Sequence, residues 1–150
     1  MLTVGSGERL HGTTASTVTL VSRAPLLVGV VLRAGSSFAR LAAAEGRFAI
    51  NVLSGAQAEV ADHFANGARP DGSAQFAGLA WTADSYAKAP LLAGALAHYT
   101  CRFHSVHTAG DSELLLGHVV RANAGDDQPC SATPGAVRGL LYPAKEASAS

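Results

Sequence analysis

Small hydroxyl side chains gather at two places in this chain of 150 residues, and arginines flank the second place. The first place is the segment Thr13 to Thr17, and the second is Ser36-Ser37, with Arg33 and Arg40 beside it. A helix that begins at either serine would present free backbone N–H groups and the positive end of its dipole, which stabilise a phosphate group. The same serines suit an ordinary N-cap, so their spacing leaves both interpretations open.

Other patterns that often carry chemistry favour structural explanations here. Gly5-Ser6-Gly7 lacks the third glycine of a dinucleotide-binding loop, and β-type sequence follows it. His104 and His107 are three residues apart on a predicted strand, so their rings should diverge, and we expect no metal site. Asp126-Asp127 lies in a loop and indicates a solvated turn rather than an acid/base pair. No catalytic side chain can be nominated from spacing alone.

The composition predicts one domain over residues 1–150, with a flexible tail at 143–150. Hydrophobic residues make up 48% of the chain, charged residues make up 15%, and the formal net charge is zero. Without a basic excess, generic nucleic-acid binding is not expected. The longest apolar run, Ala24 to Leu32, is too short to cross a bilayer, and the N-terminus has no signal-peptide pattern. We therefore expect no membrane partner and a cytoplasmic location, where Cys101 and Cys130 would stay reduced.

The elements that must position the hydroxyl residues are mostly strands. Threonines and β-branched neighbours over His11 to Val21 predict a strand that forms a hairpin with Leu2–Val4. The apolar run Leu26 to Leu32 predicts a central strand that is buried on both faces. Alternation of side chains predicts a strand over Ala95 to His107, with Thr100 on the exposed face. The turn Gly110-Asp111 then leads to a partner strand over 113–122, and a last strand is expected over 137–142.

Two short helices interrupt the strands. The first begins at Ser36 or Ser37 and ends at Gly46, and a strand follows over Phe48 to Leu53. The spacing of Ser54 and Gln57 fits a capping box at the start of a second helix over about 55–66, before a polar loop at 66–73. Many short strands with two short helices predict an antiparallel barrel rather than a doubly wound sheet.

Several motifs, taken in order, resemble those of the flavin reductases of the FMN-binding split-barrel type. The resemblance spans about residues 11–142, and the motifs that carry it are His11-Gly12-Thr13-Thr14-Ala15-Ser16-Thr17, Ser22-Arg23-Ala24-Pro25-Leu26-Leu27, Gly46-Arg47-Phe48-Ala49-Ile50-Asn51-Val52-Leu53, Pro90-Leu91-Leu92, Gly110-Asp111, and Arg138-Gly139 with Tyr142. This chain has Ser112 where the family usually has histidine after Gly-Asp. Leu2-Thr3-Val4 corresponds only to the end of the family's N-terminal strand.

The resemblance implies a mainly β fold, an antiparallel Greek-key split barrel with two or more short helices, which usually forms a homodimer. It also implies an NAD(P)H:flavin oxidoreductase that reduces FMN or FAD by hydride transfer from NADH or NADPH. The reduced flavin would supply a partner monooxygenase. No cationic pocket for a 2′-phosphate is evident in the sequence, which mildly favours NADH.

The resemblance also implies roles for particular residues. The isoalloxazine ring would lie along Thr13, Thr14, Ala15, Ser16 and Thr17. Ser36, Ser37 and Arg40 would hold the phosphate, and Asn51 with the helix from Gln57 to Phe64 would line the ribityl or adenine side. Arg33 and Phe38 are also expected to bind the cofactor. The nicotinamide side would contain His11, Asp111, Ser112, Arg138 and Tyr142.

Two other functions fit the same residues. A non-catalytic flavin-binding or flavin-carrier protein would bind flavin without oxidising a nicotinamide nucleotide, and Ser112 would mark that loss. A split-barrel flavoenzyme that retains its flavin would remain yellow after gel filtration. The sequence does not distinguish FMN from FAD, and it does not identify a partner oxygenase.

Overall fold

Antiparallel strands dominate the fold in a computed structural model, which describes residues 1–15 and 17–124. In these residues the strands are β1 (Leu2–Val4), β2 (His11–Thr13), β3 (Val18–Arg23), β4 (Leu26–Arg33), β5 (Arg47–Val52), β6 (Trp81–Ala83), β7 (Pro90–Leu92), β8 (Ala97–Ala109) and β9 (Ser112–Ala124). The helices are α1 (Ser37–Glu45) and α2 (Ala58–Ala65), with short 3₁₀ turns at Gly7–Arg9, Gly55–Gln57 and Gly72–Phe76. None of these helices is long and apolar enough to cross a membrane.

Seven strands form one sheet that curls back on itself. The strand order is β2-β1-β5-β8-β9-β4-β3, so β2 and β3 are its opposite edges, and β6 pairs with β7 separately. In a flat sheet these edges would lie about 29 Å apart, because six gaps of about 4.8 Å separate them. Only residues 14–17 join the two edges, and such a link reaches at most about 18 Å. The sheet must therefore curl, and the predicted mainly β, antiparallel split-barrel fold is confirmed.

Two strand predictions need correction. The strand expected over His11 to Val21 is broken, because β2 ends at Thr13 and β3 begins at Val18 and pairs with β4. The hairpin of β2 with Leu2–Val4 is confirmed. The strand β4 is not buried on both faces: Val28 and Val30 lie in the core, but Val31 is 43% exposed. It lies between β3 and β9 in the sheet, with one face toward the core and the other outward.

Local capping signals set the helix boundaries as predicted. The Oγ of Ser36 accepts a hydrogen bond from the Ala39 amide at 3.4 Å, and Gly46 ends α1 with a φ of 74°. Positive φ suits glycine because it has no β-carbon. Before α2, the Ser54 amide donates to Oε1 of Gln57 at 3.0 Å, which is the expected capping-box contact.

The helix α1 packs on the concave side of the sheet. The Phe38 ring meets the Phe48 ring edge to face, with centroids 5.8 Å apart, and both are fully buried. A β-carbon at Gly117 would lie 2.6 Å from the Phe48 ring, so glycine is required where β9 passes this aromatic pair. Fully buried aliphatic side chains on β1, β4 and β9 complete the core: Leu2, Val4, Val28, Val30 and Leu115.

The strands β8 and β9 form the long hairpin that the alternation predicted, with Ala109 opposite Ser112 at the turn. Thr100 is an exception, because it is 1% exposed rather than on an open face. Its hydroxyl donates to Asp84 at 3.0 Å, and Arg121 also binds that carboxylate. Burial alone would raise the pKa of Asp84, but hydrogen bonds from its own turn, Thr100 and Arg121 lower it overall. The predicted last strand, the tail at 143–150 and Cys130 lie outside the described residues.

A side-chain amide covers the free edge of β2. Nε2 of Gln75 donates to the Leu10 carbonyl at 3.2 Å, and its Oε1 accepts from the Gly12 amide at 3.2 Å. These are the backbone groups that a neighbouring strand would otherwise pair with. Gln75 therefore takes the place of a strand at one margin of the curled sheet.

Candidate functional site

A cleft of about 560 Å³ opens between the edge strand β2 and the end of β4. Its walls come from β2 and the link after it, the end of β4, the start of α1, the end of α2 and the loop that follows α2. Its volume lies in the usual range of small-molecule sites. The cleft brings together eight of the residues predicted from the sequence: His11, Thr13, Thr14, Ala15, Arg33, Ser36, Ser37 and Phe64.

The helix α2 holds the link in place along one wall. The Thr14 amide donates to the Phe64 carbonyl at 3.3 Å, and its hydroxyl donates to the Ala61 carbonyl at 2.6 Å. On the other side of the link, the Thr17 carbonyl accepts from the Val31 amide at 3.4 Å. The hydroxyl proton of Thr14 is thus used inside the protein, and only its oxygen lone pairs remain available toward a ligand.

The Glu113 side chain binds the turn that leads into α1. The Glu113 carboxylate accepts from the Gly35 amide at 3.3 Å and from the Ser36 amide at 3.1 Å. The Ser36 side chain caps the helix, so the N-cap interpretation of this residue is confirmed. Ser37 is exposed at the cleft and is the better placed of the two serines for an anion.

Sequence analysis missed Arg69 and Gln75, which line the cleft together with His11. The Arg69 guanidinium donates to the Gly12 carbonyl, to Oε1 of Gln75 at 3.1 Å and to the Asn66 carbonyl at 2.8 Å. Its charged carbon lies 5.7 Å from the centre of the Phe64 ring. A basic residue inside the polar loop predicted at 66–73 was the signal that could have identified Arg69.

Charge in the cleft is carried mainly by arginines. Burial lowers the pKa of His11, and the nearby Arg69 lowers it further, while Asp71 acts in the opposite direction. Burial also lowers the pKa of Arg69, yet a guanidinium stays protonated at any ordinary pH. Arg33 and Arg69 thus offer positive charge to an anion, and His11 tends toward its neutral form.

The sequence that forms this cleft and curled sheet is similar to that of a known protein family. The model of the flavin reductase like domain family matches residues 1–145. The chain belongs to this family. The predicted family is confirmed.

Individual relatives of this flavin reductase-like domain agree with that assignment. The chain is 42% identical over 130 residues to an NADPH-flavin oxidoreductase of Streptomyces viridifaciens, with 86% of this chain and 67% of the relative covered. It spans about two thirds of the length of the curated relatives that it matches.

Two solved structures share its architecture. BorF, the flavin reductase component of a bacterial two-component tryptophan halogenase, has a TM-score of 0.78 at 32% identity, with 85% of this chain and 79% of BorF covered. The NADH:FAD oxidoreductase SgcE6 of Streptomyces globisporus C-1027, in complex with NAD and FAD fragments, has a TM-score of 0.77 at 32% identity, with coverages of 85% and 75%.

Three expected site residues have structural roles away from the cleft of this flavin reductase-like domain. Phe38 belongs to the core, as described above. The Asn51 carboxamide is buried, and its Oδ1 accepts from the Leu92 amide at 2.8 Å. The Gln57 side chain completes the capping box of the turn before α2 and donates to the Ala93 carbonyl at 2.9 Å. None of these three side chains lines the cleft, which differs from the expectation that they lie at the cofactor site.

Four other expected residues lie outside the cleft lining. Arg40 lies on the flank of α1 and donates to the Gly35 carbonyl at 2.6 Å and to Oγ of Ser37 at 3.2 Å. Thr17 contributes its backbone to the link, Asp111 lies in the β8–β9 turn, and Ser112 is the first residue of β9. Asp111 still supports the site, because its carbonyl accepts from the Ala34 amide at 2.9 Å. Ser16, Arg138 and Tyr142 fall outside the described residues.

Proposed function

We propose that this protein is an NAD(P)H:flavin oxidoreductase that reduces FMN or FAD and releases the reduced flavin. The observation that carries the proposal is the cleft, in which the predicted hydroxyl residues and the start of α1 meet in a chain of the flavin reductase-like family. The nicotinamide and flavin rings supply the hydride chemistry themselves when both are bound. The protein then has to bind the rings, orient them and exclude water.

The residues of the cleft suit these tasks. The backbone of Thr13 to Ala15 offers a wall along which a planar ring can lie, and the exposed side chain of Val31 adds apolar contact. Arg33, Ser37 and Arg69 supply charge and hydrogen-bond donors for a phosphate or pyrophosphate group. His11 also lines the cleft and is assigned to the nicotinamide side, as the family resemblance implies.

Nicotinamide oxidation tests the proposed activity. Purified protein is mixed with NADH or NADPH and with FMN or FAD. The loss of absorbance of the reduced nucleotide is followed for all four pairs. We expect oxidation that depends on added flavin and saturates with it. A protein that binds flavin but oxidises neither nucleotide would instead be a flavin carrier. A flavin that stays bound through gel filtration would indicate an enzyme that retains its cofactor.

We propose further that a second copy of the chain covers the outer face of β3, β4 and β9. Val21, Leu114 and Leu116 converge over Gly29 on this face, where a β-carbon would lie 2.9 to 3.4 Å from their methyl groups. Val21 is 48% exposed, and Val31 next to this face is 43% exposed. Contiguous apolar surface of this kind commonly belongs to an interface. A homodimer formed here would place Val31, which also lines the cleft, at its border.

The proposed product, reduced flavin, requires an enzyme that uses it. BorF is named as the reductase component of a two-component halogenase, and another relative, 36% identical over 108 residues, is the reductase component of a trigonelline monooxygenase of Acinetobacter baylyi. By analogy we propose a flavin-dependent oxygenase as partner. A cytoplasmic location is proposed with it, since the reaction draws on nicotinamide nucleotides.

A further inference from the structure

The orientation of the Gln75 carboxamide is fixed by its neighbours. This side chain is 2% exposed. Its Oε1 faces the Gly12 amide and Nε of Arg69, at 3.2 and 3.1 Å. Both of these groups can only donate, so the atom that faces them must be the amide oxygen. The amide nitrogen then faces the Leu10 carbonyl at 3.2 Å and Nδ1 of His11 at 3.4 Å.

This orientation determines the tautomer of His11. The amide nitrogen of Gln75 is a donor, so Nδ1 of His11 must accept. A neutral imidazole that accepts at Nδ1 carries its proton on Nε2. Nδ1 is turned toward the buried amide, so Nε2 on the other side of the ring is directed away from it. Within residues 1–15 and 17–124, no hydrogen-bond partner of Nε2 is found, and the ring lines the cleft.

The other groups around His11 favour the same neutral state. The charged groups that shift its pKa are Arg69 and Asp71, and the Phe38 ring lies 6.3 Å away. Glu8 and Arg9 line an adjoining cavity with His11 and are of opposite charge. A proton on Nδ1 would oppose the amide hydrogens of Gln75 and add a second cation beside Arg69. Asp71 raises the pKa of His11, but burial and Arg69 together lower it by more.

We propose that Gln75 is a positioning residue that holds His11 as the neutral Nε2–H tautomer and so presents an uncharged hydrogen-bond donor to the cleft. The group that it fits is a neutral acceptor, such as a carbonyl oxygen, on a planar heterocyclic ligand. Assignment of that ligand to the flavin or the nicotinamide rests on the proposed function. The tautomer of His11 in the free protein is independent of the proposed function.

Nitrogen NMR of the histidine side chains in the whole protein tests this proposal. The His11 signals are assigned by their loss in His11→Asn. At neutral pH we expect a protonated Nε2 and an unprotonated Nδ1. In Gln75→Glu the carboxylate can only accept, so Nδ1 should become protonated and the pKa of His11 should rise by about one unit or more. Gln57→Glu, at another amide that donates to a backbone carbonyl, is the matched control and should leave His11 unchanged.

The outcomes separate the two proposals. A protonated Nδ1 in the wild-type protein would overturn the role of Gln75, whether or not the variant folds. An unchanged His11 in folded Gln75→Glu would do the same. If the protein is active, the acid limb of its kcat/KM profile should move to higher pH in Gln75→Glu and stay in place in Gln57→Glu. Absence of nicotinamide oxidation would contradict the proposed function and leave the NMR result standing.

Discussion

Gly12 illustrates how a residue without a side chain can shape the cleft. A β-carbon at this position would lie 2.8 Å from the Phe64 ring and 2.7 Å from the end of the Met1 side chain. Both distances are shorter than side-chain contacts allow. The Phe64 ring is fully buried, and its backbone carbonyl holds the Thr14 amide beside the cleft, so the ring cannot move without disturbing the site.

We therefore predict that Gly12→Ala weakens both folding and flavin binding. The free energy of unfolding should fall by about 1–3 kcal/mol, which is the usual cost of overpacking. Urea unfolding and a flavin fluorescence titration measure the two effects. Gly55→Ala is the control, because nothing lies within 4 Å of a β-carbon there and its φ is not positive. Equal stability of the two variants would contradict the packing argument.

The lowered pKa of His11 predicts how the free energy of unfolding depends on pH. Because the folded protein lowers the pKa of His11 below the ordinary 6.5, the unfolded chain binds the proton more readily. Stability should therefore fall as the pH drops through 6.5 toward the lowered pKa of the folded state, and it should be constant with respect to His11 above that window. Unfolding of wild type and His11→Asn across this range isolates the effect. The wild-type curve should have the steeper slope, and parallel curves would count against it.

Sequence analysis identified the residues whose roles are local and missed those whose roles depend on distant partners. Ser36 and Gly46 cap a helix within their own neighbourhood, so spacing alone located them. Gln75 binds Gly12 across 63 positions of sequence, and Arg69 binds the same residue across 57. Asn51 was misplaced for the same reason, since its partner Leu92 belongs to another strand. A single sequence contains no signal for such pairs.

The start of α1 is an element whose geometry depends on a neighbouring strand. Glu113, near the start of β9, binds the two amides that precede the helix, and the Asp111 carbonyl binds a third. A carboxylate so close to a proposed phosphate site would repel an anion if it were exposed. It is buried, and its charge is directed at amides. We infer that it shapes the turn from Arg33 to Ser36 rather than contacting a ligand.

That role predicts a selective loss of phosphate recognition. In Glu113→Ala the turn loses two charge-assisted hydrogen bonds, and stability should fall by about 1–3 kcal/mol. The Kd for FMN should rise by about tenfold, equivalent to about 1.4 kcal/mol, and the Kd for riboflavin, which has no phosphate, should change less. Arg33→Ala should show the same selectivity with little loss of stability. Glu59→Ala, on the exposed side of α2, serves as the control. An equal effect on both flavins would place the phosphate elsewhere.

At the scale of the whole molecule, the outer apolar face predicts the oligomeric state. A glutamate at Val21 would place a charge among Leu114 and Leu116 in a dimer and would face water in a monomer. We expect wild type to sediment as a dimer and Val21→Glu to dissociate or to shift its dissociation constant by at least about tenfold. Thr82→Glu, on exposed β6, should sediment like wild type. A monomeric wild type would overturn the proposed interface.

The fold was more predictable in its elements than in their arrangement. Hydrophobic alternation located β8 and β9, and capping signals located α1 and α2. The break between β2 and β3 was not visible, because threonines favour strands throughout His11 to Val21 and only closure of the sheet interrupts them. The burial of Thr100 was equally hidden, since Asp84 reaches it from outside the strand. The curling of the sheet and the covering of Thr100 by Asp84 arise only when the strands and loops have assembled.

The link at 14–17 gives the barrel an unusual mechanical property. It joins the sheet's two margins, and its residues Thr14 and Ala15 form part of the wall against which a cofactor would rest. A ligand that stiffens the link should slow amide-hydrogen exchange in β1 and β4 together, although these strands are not neighbours in the sheet. Release of the product should then loosen both margins at once, so that the opening motions of the barrel follow each catalytic cycle.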